Sequence, residues 1–269
     1  MNILVTLNSQ YIKPLKIMLW SLFFNNKEEK FDIYLMHSSI TEEEIEDLYH
    51  FISRHNSRLF EITIPKKVFD NAPVVKHYSV EMYYRLLAYK FLPADLDRIL
   101  YLDPDILVIN PIRELYYTDL QGYLYAASYH NRIPIKVINA LRLKAYEMEE
   151  YFNSGVLLMN LPLHRKNIKE QEIFQYIAKN KNRLLLPDQD VLNALYSRDI
   201  KKLDEIKYNY DARYYLYYKL QNNGKVNMDY IMRNTAIIHF CGKNKPWRPD
   251  YNGNFKSLYK HYEVLALYR

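Results

Sequence analysis

The chain is poor in the residues that build the commonest scaffolds and cofactor motifs. Its only cysteine is Cys241, so it can form no internal disulfide and no cysteine-based zinc site. That fits a reducing compartment. There are five glycines in 269 residues, and none precedes Gly122. The glycine-rich dinucleotide fingerprint and the P-loop are therefore absent, which argues against NAD, FAD and P-loop chemistry. No apolar run approaches the ~18 to 20 residues needed to span a bilayer. The start, "MNILVTLNSQY", also lacks the basic head and small-residue cleavage site of a secretory signal. The resulting expectation is a cytoplasmic protein.

What is present excludes a disordered chain. Hydrophobic residues make up 49% of the sequence, enough to bury a full core as one domain over 1–269. The formal charge of +6 suits a protein that meets anions, but it is spread over 37 basic residues instead of forming one tract. Tyrosine is abundant, with 28 copies; its apolar ring and polar tip serve interfaces and sugar-stacking surfaces as well as ordinary half-buried packing.

The first half alternates strand and helix patterns. Asn2–Thr6, Phe31–His37, Leu59–Ile64 and Arg98–Leu102 read as strands. Between them, apolar residues at Leu15, Met18, Leu19 and Leu22 place a helix over Lys13–Asn25, and Thr41 with Glu44 forms a capping box that opens another to about His55. A further helix over Val80–Phe91 is expected, capped by Ser79 and stopped by Pro93. Alternation of this kind predicts an α/β fold with a mostly parallel, doubly wound sheet, whose sites form beyond the carboxyl ends of the strands. The second half is less regular. Strands are expected at Phe152–Leu161 and Thr235–Phe240, and helices at Lys166–Lys179, Gln189–Ser197 and Phe255–Leu267.

In "ILYLDPDILVIN" two carboxylates, Asp103 and Asp105, stand one residue apart between apolar runs, just beyond a strand end. At about 4 Å such a pair would repel by roughly 4 kcal/mol at an effective dielectric near 20. Protonation of one member or a cation between them removes the conflict. A hard divalent cation, Mg²⁺ or Mn²⁺, takes oxygen ligands and shares them with substrate phosphates. The plain alternative is a turn made by Asp103 with Pro104, with Asp105 solvated. A second segment, "HFCGKNKPW", offers His239 as an imidazole ligand, Gly242 for close backbone approach to an anion, and charge at Lys243 and Lys245. His239 alone would more often be a buried, satisfied histidine; with the two aspartates it completes a three-ligand set that leaves room for a diphosphate.

The chain resembles glycosyltransferase family 8, the group that includes bacterial lipopolysaccharide and lipooligosaccharide galactosyl- and glucosyltransferases. The resemblance runs in order through "ILVTLNSQYIKPLKIMLWSL", "YYRLLAYKFLP", "RILYLDPDILV", "YFNSGVLLMNL", "LPDQDVLNALY" and "IIHFCGKNKPW". It implies a GT-A fold, with a nucleotide-binding half at 1–112 and an acceptor-side half at 113–269. It also implies a Mn²⁺ or Mg²⁺ ion on Asp103, Asp105 and His239 that bridges the diphosphate of a UDP-sugar, UDP-glucose or UDP-galactose. In the same terms, Pro104, Gly242 and Lys245 belong to the donor site, and Arg85 lies near the donor sugar and phosphates. The loop with Thr6, Asn8, Gln10 and Tyr11 would receive uracil and ribose, although Asn8 and Gln10 replace acidic residues of better-known members, which weakens any exclusive uridine preference. Asn153, Asp188 and Gln189 match contacts to the donor sugar. Family members retain anomeric configuration. Gln189 is a poor nucleophile, so a front-face mechanism is expected, with Asp190 as the fallback nucleophile and Asp188 doubling as a helix N-cap. The implied acceptor is a saccharide or lipid-linked glycan.

Two other readings compete. An Asp-x-Asp phosphatase would place its motif at an early strand and carry threonine where Leu107 stands. A nucleic-acid-binding domain would need a concentrated basic stripe and leaves the aspartates unexplained. The tyrosine-rich stretch Tyr208–Leu220 suits acceptor stacking, a dimer contact or core packing. The last helix, with Phe255, Leu258, Tyr259, Tyr262 and Leu265 on one face, suits core docking and also peripheral adsorption to an anionic membrane surface.

Overall fold

The computed structural model describes residues 1–65, 80–129, 142–143 and 150–268. Ten strands are described: β1 (Asn2–Thr6), β2 (Asp32–His37), β3 (Arg58–Thr63), β4 (Arg98–Leu102), β5 (Ile106–Val108), β6 (Tyr125–Tyr129), β7 (Phe152–Asn160), β8 (Ile200–Leu203), β9 (Tyr210–Asp211) and β10 (Ile237–His239). Seven form the main sheet, in the order β3-β2-β1-β4-β7-β6-β8. The run β3-β2-β1-β4 is parallel throughout, β7 lies antiparallel between β4 and β6, and β8 is parallel to β6. The expected mostly parallel sheet is thus observed. Its two faces carry separate apolar cores. One includes Tyr83, Tyr101 and Phe152, the other Ile3, Leu19 and Leu100.

The local signals explain most of the first half. β1 and β4 are short apolar runs with buried centres. The capping box at Thr41 forms as expected: Thr41 Oγ1 accepts from the Glu44 amide (3.3 Å), Glu44 Oε2 accepts from the Thr41 amide (3.0 Å), and the helix spans Glu42–Ser53.

Three expectations need correction. The segment after Val80 winds as two 3₁₀ stretches, Val80–Leu86 and Ala88–Lys90, instead of one α-helix. Every residue over 81–88 is buried, so no solvent face marks a 3.6-residue period, and packing sets the tighter winding. The proposed cap, Ser79, lies outside the described residues. The single helix expected over Lys166–Lys179 is two, Leu161–Asn167 and Glu170–Asn180. Between them Ile168 is extended and buried, with its carbonyl accepting from Tyr89 OH (3.0 Å). The helix at Pro187–Tyr196 starts on its proline, a favoured first position, so Asp188 lies inside the first turn and is not the N-cap.

The apolar run after Asp105 does not extend the main sheet. β5 crosses into a three-stranded sheet, β5-β10-β9, where His239 of β10 pairs with Ile106 on one side and Asp211 on the other. The Asp103-Pro104-Asp105 turn is therefore the seam between two sheets. The last helix, Lys256–Leu267, docks on the helix Ile12–Asn25, burying Tyr259 and Tyr262, and Asn25 Nδ2 donates to Tyr262 OH (2.9 Å). Among the described residues no helix is long and apolar enough to cross a membrane.

Candidate functional site

The seam fixes the two aspartates by backbone as well as by side chain. The Asp103 amide donates to Gly155 O of β7 (2.8 Å), and the Phe240 amide, one residue beyond β10, donates to Asp105 O (3.0 Å). His239 is thereby delivered to the carboxylates: its Nε2 lies 3.3 Å from Asp105 Oδ1 and 3.7 Å from Asp103 Oδ2. One ligand atom from each of Asp103, Asp105 and His239 falls within 4.8 Å of the others. Two carboxylate oxygens and an imidazole nitrogen at this spacing fit a hard or borderline divalent cation such as Mg²⁺ or Mn²⁺.

The surroundings tune each member of this cluster. His239 Nδ1 donates to Asn209 Oδ1 (2.8 Å), which turns Nε2 toward the carboxylates. Burial opposes charge on His239, the Cys241 sulfur and the Asp105 carboxylate favour it, and the balance lies well above the ordinary histidine pKa. A cation bound through Nε2 therefore displaces a proton. Asp105 also takes a bond from Lys245 Nζ, which donates to Phe240 O as well (3.0 Å). Burial would raise the Asp105 pKa, but Lys245 and His239 together hold it well below the usual carboxylate range.

Asp103 receives the Tyr101 hydroxyl (2.5 Å) and the Arg85 guanidinium, whose Nη1 is 3.0 Å from Oδ1. Arg85 stacks over the Tyr101 ring at 4.1 Å and also reaches Asp188 Oδ2 (3.4 Å) and Ser154 O (2.8 Å). Burial works against its charge, yet Asp103, Tyr101 and Asp188 raise its pKa further. Asp188 is buried too. Desolvation raises its pKa and Arg85 pulls it down, with a net upward shift, and Ser154 Oγ donates to Oδ2 (2.9 Å). Gln189 Oε1 accepts from the Ser154 amide (3.3 Å) and Asn153 Oδ1 from the Gly155 amide (2.8 Å). One shared edge thus links β7 and the helix Pro187–Tyr196 to the aspartates through Arg85.

In the first loop, Thr6 Oγ1 lies 3.4 Å from Tyr101 OH. Tyr11 packs edge-on against Trp247, with ring centroids 5.8 Å apart. Its pKa is raised, mainly by burial, and responds to Lys245, Asp105 and Asp103, which places the phenol beside the cluster. Asn8 Oδ1 caps the turn that follows by accepting from the Gln10 amide (3.1 Å), and Gln10 is exposed. Gly242 has φ +86°, the left-handed region that glycine enters freely.

Asp190 is held elsewhere. Its fully buried carboxylate takes Arg142 Nη1 (2.8 Å) and Nη2 (2.6 Å), Tyr151 OH (2.6 Å) and the Leu185 and Leu186 amides (2.7 and 3.1 Å). That is the bonding of an anchor. Asp190→Ala, which strands a half-buried arginine and empties a fully buried carboxylate site, should cost about 3 to 5 kcal/mol and lower Tm by roughly 10 °C in a thermal melt. A melt at the wild-type temperature would refute the anchor role.

Several contributors carry no sequence signal of their own. Asn209 and Gly155 enter only through strand register, whereas Tyr101 could have been found, because it precedes Asp103 by two residues in an extended run and so faces the same way.

The profile of glycosyl transferase family 8 matches residues 2–250. The lipopolysaccharide 1,2-glucosyltransferase of Escherichia coli is 27% identical over 250 residues, which span 91% of this chain and 73% of that protein. General stress protein A of Bacillus subtilis (strain 168) is 24% identical over 274 residues, spanning 97% and 92% respectively. Among solved structures, the galactosyltransferase LgtC in complex with donor and acceptor sugar analogs superposes with a TM-score of 0.84 at 22% identity, over 98% of this chain and 96% of that one. With its seven-stranded sheet and its Asp-Asp-His cluster at the sheet seam, the chain belongs to glycosyl transferase family 8 and is a glycosyltransferase of the GT-A fold.

Proposed function

We propose that this enzyme is a retaining hexosyltransferase that moves glucose or galactose from UDP to a hydroxyl of a saccharide or a lipid-linked glycan. Family membership removes the phosphatase and nucleic-acid readings. The observation that carries the proposal is the convergence of Asp103, Asp105 and His239 within 4.8 Å, with the Lys245 ammonium on Asp105 and the Arg85 guanidinium on Asp103. A similar pairing of cation site and fixed basic groups is what a departing diphosphate needs.

A divalent cation, Mn²⁺ or Mg²⁺, held by those three side chains would supply Lewis acidity to the leaving diphosphate. The remaining work falls to the chain itself. Lys245, fixed by Asp105 and Phe240 O, gives positive charge from the loop that carries Gly242. Arg85 joins Asp103 to Asp188, so the phosphate end and the sugar end share one rigid buried cation. Asn153, Asp188 and Gln189 take the sugar hydroxyls in this reading. Gln189 turns an amide dipole to the anomeric carbon as positive charge grows there, consistent with front-face transfer. The bonding of Asp190 supports a positioning role for it behind Gln189. Thr6, Asn8, Gln10 and Tyr11 line the base and ribose end, and Pro104 shapes the turn. Both halves, 1–112 and 113–269, contribute side chains, which supports one domain over 1–269. The activities of two relatives, a glucosyltransferase and a galactosyltransferase, support a hexose donor. Docking of the last helix on the helix Ile12–Asn25 favours its structural role over membrane adsorption.

A thermal-shift panel of nucleotide sugars, each with Mn²⁺ and with EDTA, tests donor, metal and class together. UDP-glucose or UDP-galactose with Mn²⁺ at about 100 times Kd should stabilise by about 2.7 kcal/mol, a rise of roughly 5 to 10 °C. Equal shifts in EDTA, or none with any UDP-sugar, would overturn the reading.

A further inference from the structure

Arg213 lies in the short turn Ala212–Tyr214 directly after β9 and has no part in the chemistry above. In sequence it is one basic residue in a tyrosine-rich stretch. In the fold its position is tightly set. Asp211, only 1% exposed, pairs in register with His239 across β9 and β10. Its carboxylate takes Arg213 Nε (2.9 Å to Oδ1, 3.2 Å to Oδ2), Nη2 (2.6 Å to Oδ2) and the Arg213 amide (3.0 Å to Oδ1). Tyr214 adds its ring, 5.0 Å from Cζ. One edge of the guanidinium is thereby held in plane while the side chain stays 46% exposed.

The remaining nitrogen, Nη1, makes no hydrogen bond among the described residues and lies against Gly242, where a Cβ would come within 2.9 Å of it. Gly242 follows the ligand His239 by three residues and precedes Lys245 by three. A half-exposed arginine gains little from being fixed for its own sake, since ordering its long side chain gives up rotamer entropy. A fixed guanidinium with one free nitrogen is set to donate a charge-assisted hydrogen bond to a phosphate oxygen.

We infer that Arg213 is a substrate-binding residue at the mouth of this site, its Nη1 taking a phosphate oxygen. The inference rests on the nucleotide-sugar reading for the identity of the neighbouring loop. The phosphate belongs either to the donor diphosphate or to a phosphorylated acceptor sugar. Both sources present the same oxygen, so the experiment separates them.

The full chain is titrated with UDP and with uridine in Mn²⁺. Glucose 6-phosphate and glucose are then compared as inhibitors of UDP-sugar hydrolysis. Arg213→Gln should weaken one phosphate-bearing probe by about tenfold or more, leave its neutral counterpart unchanged, and be partly rescued by Arg213→Lys. A loss on UDP assigns the donor, and a loss on glucose 6-phosphate assigns the acceptor. The double variant Asp211→Asn with Arg213→Gln keeps a neutral hydrogen-bonded pair if the single variant does not fold. Equal losses on UDP and uridine, or wild-type values for every probe, would overturn the inference. Wild-type protein that fails to bind UDP with Mn²⁺ would instead overturn the nucleotide-sugar reading.

Discussion

Gly155→Ala is expected to cost about 100-fold in metal affinity and at least as much in metal-dependent turnover, although it adds one methyl group. A Cβ at this position would lie 2.3 Å from His239 Cε1, 2.6 Å from Asp103 Oδ2 and 3.0 Å from His239 Nδ1. None of these atoms can yield cheaply. Asn209 holds the imidazole, Tyr101 and Arg85 hold the carboxylate, and the Gly155 carbonyl is bonded to the Asp103 amide. Gly155 sits in the ordinary strand region of β7, so the effect is steric and not one of backbone strain. Overpacking of this kind costs about 1 to 3 kcal/mol of stability, which leaves a folded protein to measure. Manganese titration by calorimetry alongside a thermal melt reads both quantities. An alanine variant that binds the ion as wild type does would show that the ligands are not wedged against β7.

Asp103→Ala is expected to lower metal-dependent UDP-sugar hydrolysis by about 10³-fold or more, since a Lewis-acid contact is worth several kcal/mol in the transition state. The fold should survive. Asp103 is the most exposed of the three clustered side chains, and Arg85 keeps Asp188 and two backbone carbonyls when it is lost. Asp103→Asn is the companion variant, because its amide oxygen still accepts from Tyr101 while the charge is gone. Loss of activity in both places the requirement in the carboxylate's charge. Full activity in either, measured as release of free hexose, would remove Asp103 from the ligand set.

What the sequence made legible follows from how local each signal is. β1 and β4 were delimited by short apolar runs, and the Thr41 box by a hydrogen-bond pattern closed within four residues. Asp103, Asp105 and His239 stood out as chemistry-bearing residues at strand ends, and the family resemblance joined them. Their supports were hidden because they depend on register between distant strands. Nothing near Asn209 announces that it will face His239, 30 residues on, and a glycine in an apolar strand does not reveal what lies beside it. The 3₁₀ winding over 80–90 was equally hidden. A segment buried on every side has no polar face to set a period, so packing decides its geometry. Asp190 looked reactive beside Gln189, yet three-dimensional pairing with Arg142 and Tyr151 gives it the bonding of an anchor.

One divalent cation is expected to join Asp103, Asp105 and His239 to a nucleotide diphosphate. Diffraction at the manganese absorption edge, from crystals grown with Mn²⁺ and UDP, tests it most directly. A single anomalous peak is expected within bonding distance of all three side chains and of diphosphate oxygens. A diphosphate bound with no peak between it and the aspartates, or a peak held by other residues, would contradict it.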